Sequence, residues 1–408
     1  MIIRLRSLRV PRTVSSAWVV YPEEPTEAPA PCLVGVPDRE TTRRVQLSKT
    51  VIVIPSLAGG GAERQAILLF EGLRRFSDVV LVSLERRNEY LAEADPSVVF
   101  LGKEKRGDLM WLVGALRRHV AGATAVVAFG WYANTLAMLT GSRAKRIVRY
   151  GAPIAASVPR GVRQLMAAQA QRTSAAVVGL TWDLTRSACE SLGSPRIACC
   201  AIGNGVDGGH LALAGPPDAA QAPILLVLSR LKQEKGVDRV IEAFVRCADR
   251  LPHSLVISGV GPAEAALRRQ VADAGLSDRV EFRGFSAQPW HLLATADLVL
   301  VGSRWEGFGS TIVEALSCGT PVIAMDVPYG PRVILGDMPY DALVHDGDID
   351  GFAERVCSMV GDSGRLASLS APLKEVALAR HSVDSMVTAY ADLLSAVGGA
   401  WPVKVVEE

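Results

Sequence analysis

Two separate series of short β-branched runs, each alternating with helical stretches, limit what this chain can fold into. The first comprises "TVIVIPSL" (50–57), "VVLVSL" (79–84), "AVVAF" (125–129), "RIVRY" (146–150) and "AAVVGL" (175–180). Between them lie helix candidates such as "ERQAILLFEGLRRF" (63–76) and "LMWLVGALRRHV" (109–120). The second series runs "PILLVLSRL" (223–231), helix 236–250, "HSLVISGVG" (253–261), helix 263–274, "RVEFRGF" (279–285), "DLVLVGS" (297–303), helix 309–318 and "PVIAM" (321–325). Near-continuous apolar strands alternating with helices predict parallel sheets covered on both faces. Two such series predict an α/β protein of two doubly wound, Rossmann-like domains facing one cleft.

The chain of 408 residues suits this division. Residues 1–47 carry prolines without periodicity and read as an irregular N-terminal extension. Residues 48–208 form the expected first domain and 209–380 the second, joined through "GNGVDGGHLALAGPPDAAQAP" (203–223). A tail at 381–408, with helix "VDSMVTAYADLLSAV" (383–397), is expected to return to the N-terminal domain.

Composition excludes several classes. No run approaches the roughly 18 apolar residues that span a bilayer, and "MIIRLRSLRVPRTVSS" has no apolar core of a signal peptide. Seven scattered cysteines without a C-x-x-C predict neither structural disulfides nor zinc, as in a reducing cytoplasm. The net charge of +2 gives no sign of nucleic acid, but between Lys103 and Arg172 twelve Lys/Arg face two acids, a balance of +10. This is either a solvated basic face or a surface for anionic lipid or a phosphorylated acceptor.

Four motifs carry the chemistry. "LAGGGAERQ" (57–65) follows a strand and opens a helix, so Gly60 and Gly61 let amides approach a phosphate. Counting G-x-G-x-x-G from Gly59 puts Arg64 at the third glycine, and "GVGPAE" (259–264) ends on Glu264, so dinucleotide and P-loop readings both fail. In "SRLKQEKG" (229–236), Arg230 and Lys235 stand at the carboxyl edge of a sheet, placed either for surface ion pairs or for a departing diphosphate. "SRWEGFGSTIVEALSCGTPVIAMD" (303–326) sets Glu306 and Glu314 eight positions apart around Gly-Phe-Gly. Capping explains Glu306 and an ordinary exposed helix position explains Glu314; the other reading is a grip on the hydroxyls of two sugars of one nucleotide-sugar.

In this order, ending in "CGTPVIAMDVPYGPRVIL" (318–335), the motifs resemble the family 4 glycosyltransferases, retaining enzymes of the GT-B fold, over about residues 50–395. "GGAERQ" points to the branch that builds bacterial glycoconjugates and polysaccharides. The resemblance implies that Arg230 and Lys235 hold the leaving diphosphate, Glu306 the transferred sugar and Glu314 the ribose. Backbone amides of Phe308, Gly309, Ser310 and Thr311 would cap the phosphates, with the Phe308 ring at the site, and Arg283 and Phe285 would pass the base. It implies a nucleoside-diphosphate sugar, UDP-sugar favoured, and no cofactor or metal. "DGDID" (346–350) then reads as a surface turn, and Asn204 and Asp207 of "GNGVD" as structural.

Two departures fall in the first domain, the acceptor side. No histidine lies between His119 and His210, where relatives carry one that contacts the donor sugar; "FGWYANT" (129–135) offers Trp131, Tyr132 or Asn134 instead. "RYGAP" (149–153) replaces a charged segment. The expected acceptor is lipid-linked or another glycoconjugate at the inner membrane face. A soluble natural-product acceptor and a non-catalytic nucleotide-sugar-binding subunit remain open.

Overall fold

The structure, a computed structural model, describes residues 18–19, 47–58, 60–88, 95–102, 109–193, 198–207, 223–286 and 288–397. Most of the extension, Gly59, the middle of the linker and the end of the tail lie outside the described residues.

Among the described residues the chain forms two sheets. The first comprises β1 (Trp18–Val19), β2 (Leu47–Ile54), β3 (Ser77–Ser83), β4 (Val98–Phe100), β5 (Ala125–Phe129), β6 (Lys145–Tyr150), β7 (Ser174–Gly179) and β8 (Ala198–Ala201). Their order is β1-β8-β7-β6-β5-β2-β3-β4, parallel except for β1, which pairs antiparallel with β8 at Trp18↔Cys200. The second comprises β9 (Ile224–Leu228), β10 (Ser254–Ser258), β11 (Val280–Gly284), β12 (Leu298–Val301), β13 (Val322–Asp326) and β14 (Leu343–His345). Its order is β11-β10-β9-β12-β13-β14, with every pair parallel.

Apolar runs set this architecture. Val51, Ile52, Val53 and Ile54 alternate sides of β2, yet all are fully buried, because helices cover both faces. Val51 and Val53 share one core with Leu112 and Leu116 of the Leu109–Val120 helix, and Ile52 and Ile54 share the other with Leu69 and Phe70 of the Gly61–Leu73 helix. Expected helix 236–250 is preceded by a 3₁₀ turn (Gln233–Lys235) and resolves into an α-helix (Val237–Cys247) and a second 3₁₀ turn (Ala248–Arg250). Gly236 separates the first two with a left-handed φ of 58°, and a Cβ there would lie 1.9 Å from Gly302 O.

The C-terminal helix Val383–Val397 leaves the second domain and packs on the first. Its Val387, Tyr390 and Leu394 share a core with Leu69, Phe70 and Leu73. Gly72 permits the approach: a Cβ would stand 2.2 Å from Val387 Cγ2. The chain thus crosses between domains twice, and the crossings are stitched together. Val206 N donates to His381 O at 2.7 Å, and Val383 N to Val206 O at 3.2 Å.

Three sequence expectations are corrected. Cys189 and Cys199 form a disulfide, although separated thiols without a C-x-x-C predicted none. The Trp182–Leu192 helix and β8 pack against the same strand, β7, and this return brings the two together. The basic surface between Lys103 and Arg172 is smaller than its count: Arg146 and Arg149 are buried, and residues 103–108 lie outside the described residues. Arg146 spends its guanidinium on backbone carbonyls of Ala137, Ser142 and Thr173. Asn134 is also no pocket residue; it is fully buried and donates to Arg149 O at 3.0 Å.

His381 sits at the second crossing, its ring edge-on to Phe308 at 5.5 Å. Burial, assisted by Arg380, pushes its pKa down to about 4. A depressed imidazole contributes stability that is present above its unfolded pKa near 6.5 and is lost as pH falls toward the folded value, at most about 3 kcal/mol here. Wild-type melting temperature should therefore fall more steeply than that of His381→Gln between pH 6.5 and 4. Parallel curves would show that this ring takes no part in acid unfolding.

Candidate functional site

The site is built where the carboxyl edge of the second sheet meets the Gly-rich turn of the first domain. β9 delivers Arg230, and the 3₁₀ turn after it delivers Lys235. Two close backbone approaches brace the Arg230 loop. Cβ atoms at Gly259 and Gly261 would meet Ser229 O at 1.8 Å and Leu231 O at 2.3 Å, so only glycines fit. Leu231 N donates to Val260 O, and Ala263 N to Leu231 O, each at 2.9 Å.

Lys235 and Glu306 form a pair. Lys235 Nζ lies 2.6 Å from Glu306 Oε1, which also accepts from Ser303 Oγ at 2.8 Å. Arg304 anchors the same loop through two bonds to the Asp238 carboxylate, at 2.9 and 2.7 Å. Behind Glu306 stands Tyr329, the only non-glycine with positive φ among the described residues (φ 80°, ψ −79°). Such a conformation costs about 1–3 kcal/mol and persists where its surroundings over-determine it. The next amide, Gly330 N, donates to Glu306 O at 3.1 Å, and a Cβ at Gly330 would lie 1.9 Å from Phe308 O.

The Ser310–Cys318 helix starts on Gly309, whose φ of 95° ends the Gly-Phe-Gly turn. Its first amides have no partner within the helix and face outward with positive partial charge. Ser310 Oγ accepts from Asn204 Nδ2 at 2.8 Å, and Thr311 Oγ1 donates to Leu228 O at 3.3 Å. These two hydroxyls therefore fix the helix start. The Phe308 ring is buried against Gly203 and His381, which corrects its expected place at the site.

Asn204 reads as structural in the sequence, and its contacts specify how: its Oδ1 accepts from Arg149 Nη2, while its amide reaches Ser310. Arg149 is buried, with its guanidinium 4.5 Å from the Phe129 ring centroid. A polar relay thus runs from the first sheet through the linker to the helix of the glutamate pair. "RYGAP" touches the turn that leads into this helix, since a Cβ at Gly307 would stand 2.1 Å from Gly151 O.

Residues that sequence reading passed over close the cleft from the other side. Gln65 grips the linker twice, donating to Gly205 O and accepting from Gly205 N, both at 2.8 Å. Arg64 Nη1 lies 3.2 Å from Glu314 Oε1, and its guanidinium is 5.3 Å from the Trp290 ring centroid. The Glu63 carboxylate folds over Gly60, 2.1 Å from where a Cβ would be. Gly60 has an ordinary extended φ of −146°, and a Cβ there would displace only the free end of the Glu63 side chain. Glu63 therefore stands beside the turn whose amides are expected to approach a phosphate. Gly61 has open space beside it.

Burial raises the Glu63 pKa, with its own backbone amide and the charge of Arg230 opposing. Glu314 keeps 21% of its side-chain surface, yet the packing around it also raises its pKa, and Arg64 opposes. Arg283 is taken up by Glu281 through two bonds at 2.8 and 2.9 Å; Phe285 beside it is 74% exposed. Trp131 and Tyr132 are half-buried and edge-to-face at 5.6 Å. In "DGDID", Asp346 pairs with Arg239, Asp348 caps a helix at Gly351 N, and Asp350 pairs with Arg246. Among the described residues no group of three or more His, Cys, Asp or Glu could hold a metal.

Two Rossmann-like domains across a cleft define the GT-B architecture. Residues 216–374 match the family described as Glycosyl transferases group 1. The lipopolysaccharide core biosynthesis glycosyltransferase LpsE of Rhizobium meliloti is 30% identical over 177 residues, covering 43% of this chain and 51% of that protein. The GDP-mannose-dependent alpha-(1-6)-phosphatidylinositol monomannoside mannosyltransferase of Mycolicibacterium smegmatis is 31% identical over 240 residues, 54% of this chain and 62% of that one. The chain spans about half the length of the first of these relatives. HepE of Anabaena, solved with UDP-glucose, shares the fold at a TM-score of 0.72 and 20% identity, over 85% of this chain and 99% of that one.

Because backbone from both domains meets at Gly307, Gly307→Ala should force the cleft apart. Overpacking of this kind costs about 1–3 kcal/mol, so a fall of several degrees in melting temperature and a larger radius of gyration are expected. An unchanged scattering profile would place no constraint on closure at that contact.

Proposed function

We propose that the protein is a retaining glycosyltransferase that moves a sugar from a nucleoside-diphosphate sugar, UDP-sugar favoured, to a glycoconjugate acceptor. The observation that carries this reading is the Lys235–Glu306 pair at the sheet edge, with Lys235 on the segment that follows Arg230. Breaking the bond between sugar and diphosphate builds negative charge on phosphate and positive charge on the sugar ring. An ammonium and a carboxylate held 2.6 Å apart can answer both, Lys235 turning to phosphate and Glu306 to the sugar. Arg230 and the amides at the start of the Ser310–Cys318 helix complete the diphosphate seat.

In this scheme the acceptor attacks the face from which diphosphate departs, and a donor phosphate oxygen takes its proton. No protein base and no metal is required. Glu306 positions and stabilises; the paired-carboxylate logic of glycoside hydrolysis does not transfer. Glu314 would receive ribose hydroxyls, and Phe285, exposed at the end of β11, the base.

The test is transfer or donor hydrolysis by the purified chain with UDP- and GDP-sugars. Lys235→Ala and Glu306→Ala should each lower turnover about 100-fold or more, and EDTA should leave it unchanged. Wild-type rates in both variants would overturn the assignment.

The membrane is the second element of the reading. The Leu109–Val120 helix buries Leu112 and Leu116 but exposes Met110 and Trp111, and Arg117 and Arg118 are exposed farther along it. Basic side chains near an anionic surface contribute roughly 1 kcal/mol each, and exposed apolar side chains can enter the headgroup layer. The LpsE and phosphatidylinositol mannoside relatives are named for lipid-borne products. Vesicles with anionic lipid should co-sediment the protein at low salt, and Arg117→Ser/Arg118→Ser should weaken this. Equal partitioning to neutral vesicles would remove the electrostatic contribution.

A further inference from the structure

Arg64 stands on the N-terminal wall of the cleft, yet its guanidinium rests on two groups of the C-terminal wall, Glu314 and Trp290. These side chains, with Asp207 and Cys318, line one small cleft. We propose that Arg64 is an internal stand-in for the nucleoside: it satisfies Glu314 and covers the Trp290 ring until a donor nucleotide displaces it, and the same contact clasps the two domains. The assignment rests on the proposed function, in which Glu314 receives ribose.

The geometry gives three reasons. A carboxylate packed in protein needs a counter-ion or hydrogen-bond donors, because uncompensated burial is costly. Arg64 supplies both in one charge-assisted contact, Nη1 to Oε1 at 3.2 Å. Ribose hydroxyls would compete for the same oxygens, so the cost of removing Arg64 is subtracted from nucleoside affinity. Glu63, the preceding residue, makes the opposite reach: its carboxylate lies over Gly60 and is attracted to Arg230. One helical turn therefore presents an anion to the cation, and a cation to the anion, of the facing wall.

Titration calorimetry of the full chain with uridine and with UDP tests this. Arg64→Gln removes the charge and should bind uridine about 5–10-fold more tightly than wild type at low salt. The gap should narrow at high salt, as screening weakens the wild-type contact. Arg64→Lys, which keeps charge but loses the guanidinium, should fall between them and covers the case in which the glutamine variant folds poorly. If wild type binds UDP and both variants bind uridine equally or more weakly, the stand-in role is overturned while the donor reading stands. If neither nucleotide binds any of the three proteins, both readings fail together.

Discussion

A guanidinium cannot be buried without acceptors, and Arg149, sealed at the end of β6, finds one in Asn204 on the linker. The other end of that amide holds Ser310, the first residue of the helix that carries Glu314. The relative placement of the two sheets is therefore tied to the solvation of one buried charge. Gln65 repeats the tie from the other side by taking both backbone groups of Gly205. Each anchor ends on a short stretch of linker, and the returning chain at His381 and Val383 bonds to Val206 in the same stretch.

The chemistry at the sheet edge depends on this frame. Lys235 and Glu306 are positioned within the second domain by Ser303, Arg304 and the strained Tyr329. Glu63 and Arg64 belong to the first domain and meet their counter-charges only because the frame brings the walls together. Half the electrostatics of the cleft is thus local and half is a product of domain placement. A nucleotide entering such a site exchanges protein ion pairs for its own, and binding and closure become linked.

How much of this was legible follows from sequence separation. The strands and most helices could be read because burial on both faces leaves unbroken runs such as "VIVI", and the pattern is local. Arg230, Lys235, Glu306 and Glu314 were legible as a constellation of types and spacings. Glu63, Arg64 and Gln65 were in plain view within "GGAERQ", yet their roles were not: Gln65 meets its partner 140 positions away and Arg64 250 positions away. Phe308 misled because a ring between glycines suits a ligand pocket as well as an inward anchor. Only the approach of Gly203 and His381 decides. Asn134 misled similarly, since nothing local reveals that the Arg149 carbonyl needs a donor. The Cys189–Cys199 pair depended on where β8 lies, which no cysteine count contains.

The adjacency of Glu63, Arg64 and Gln65 on a single turn bears on how such proteins can be recombined. Glu63 and Arg64 answer a loop and a helix of the facing half, while Gln65 holds the linker that leads to it. A hybrid that joined this N-terminal half to another protein's C-terminal half would keep both cores intact while orphaning two charged groups at the seam. Halves of this architecture are modular in their hydrophobic interiors, but their interfaces must be inherited as matched sets.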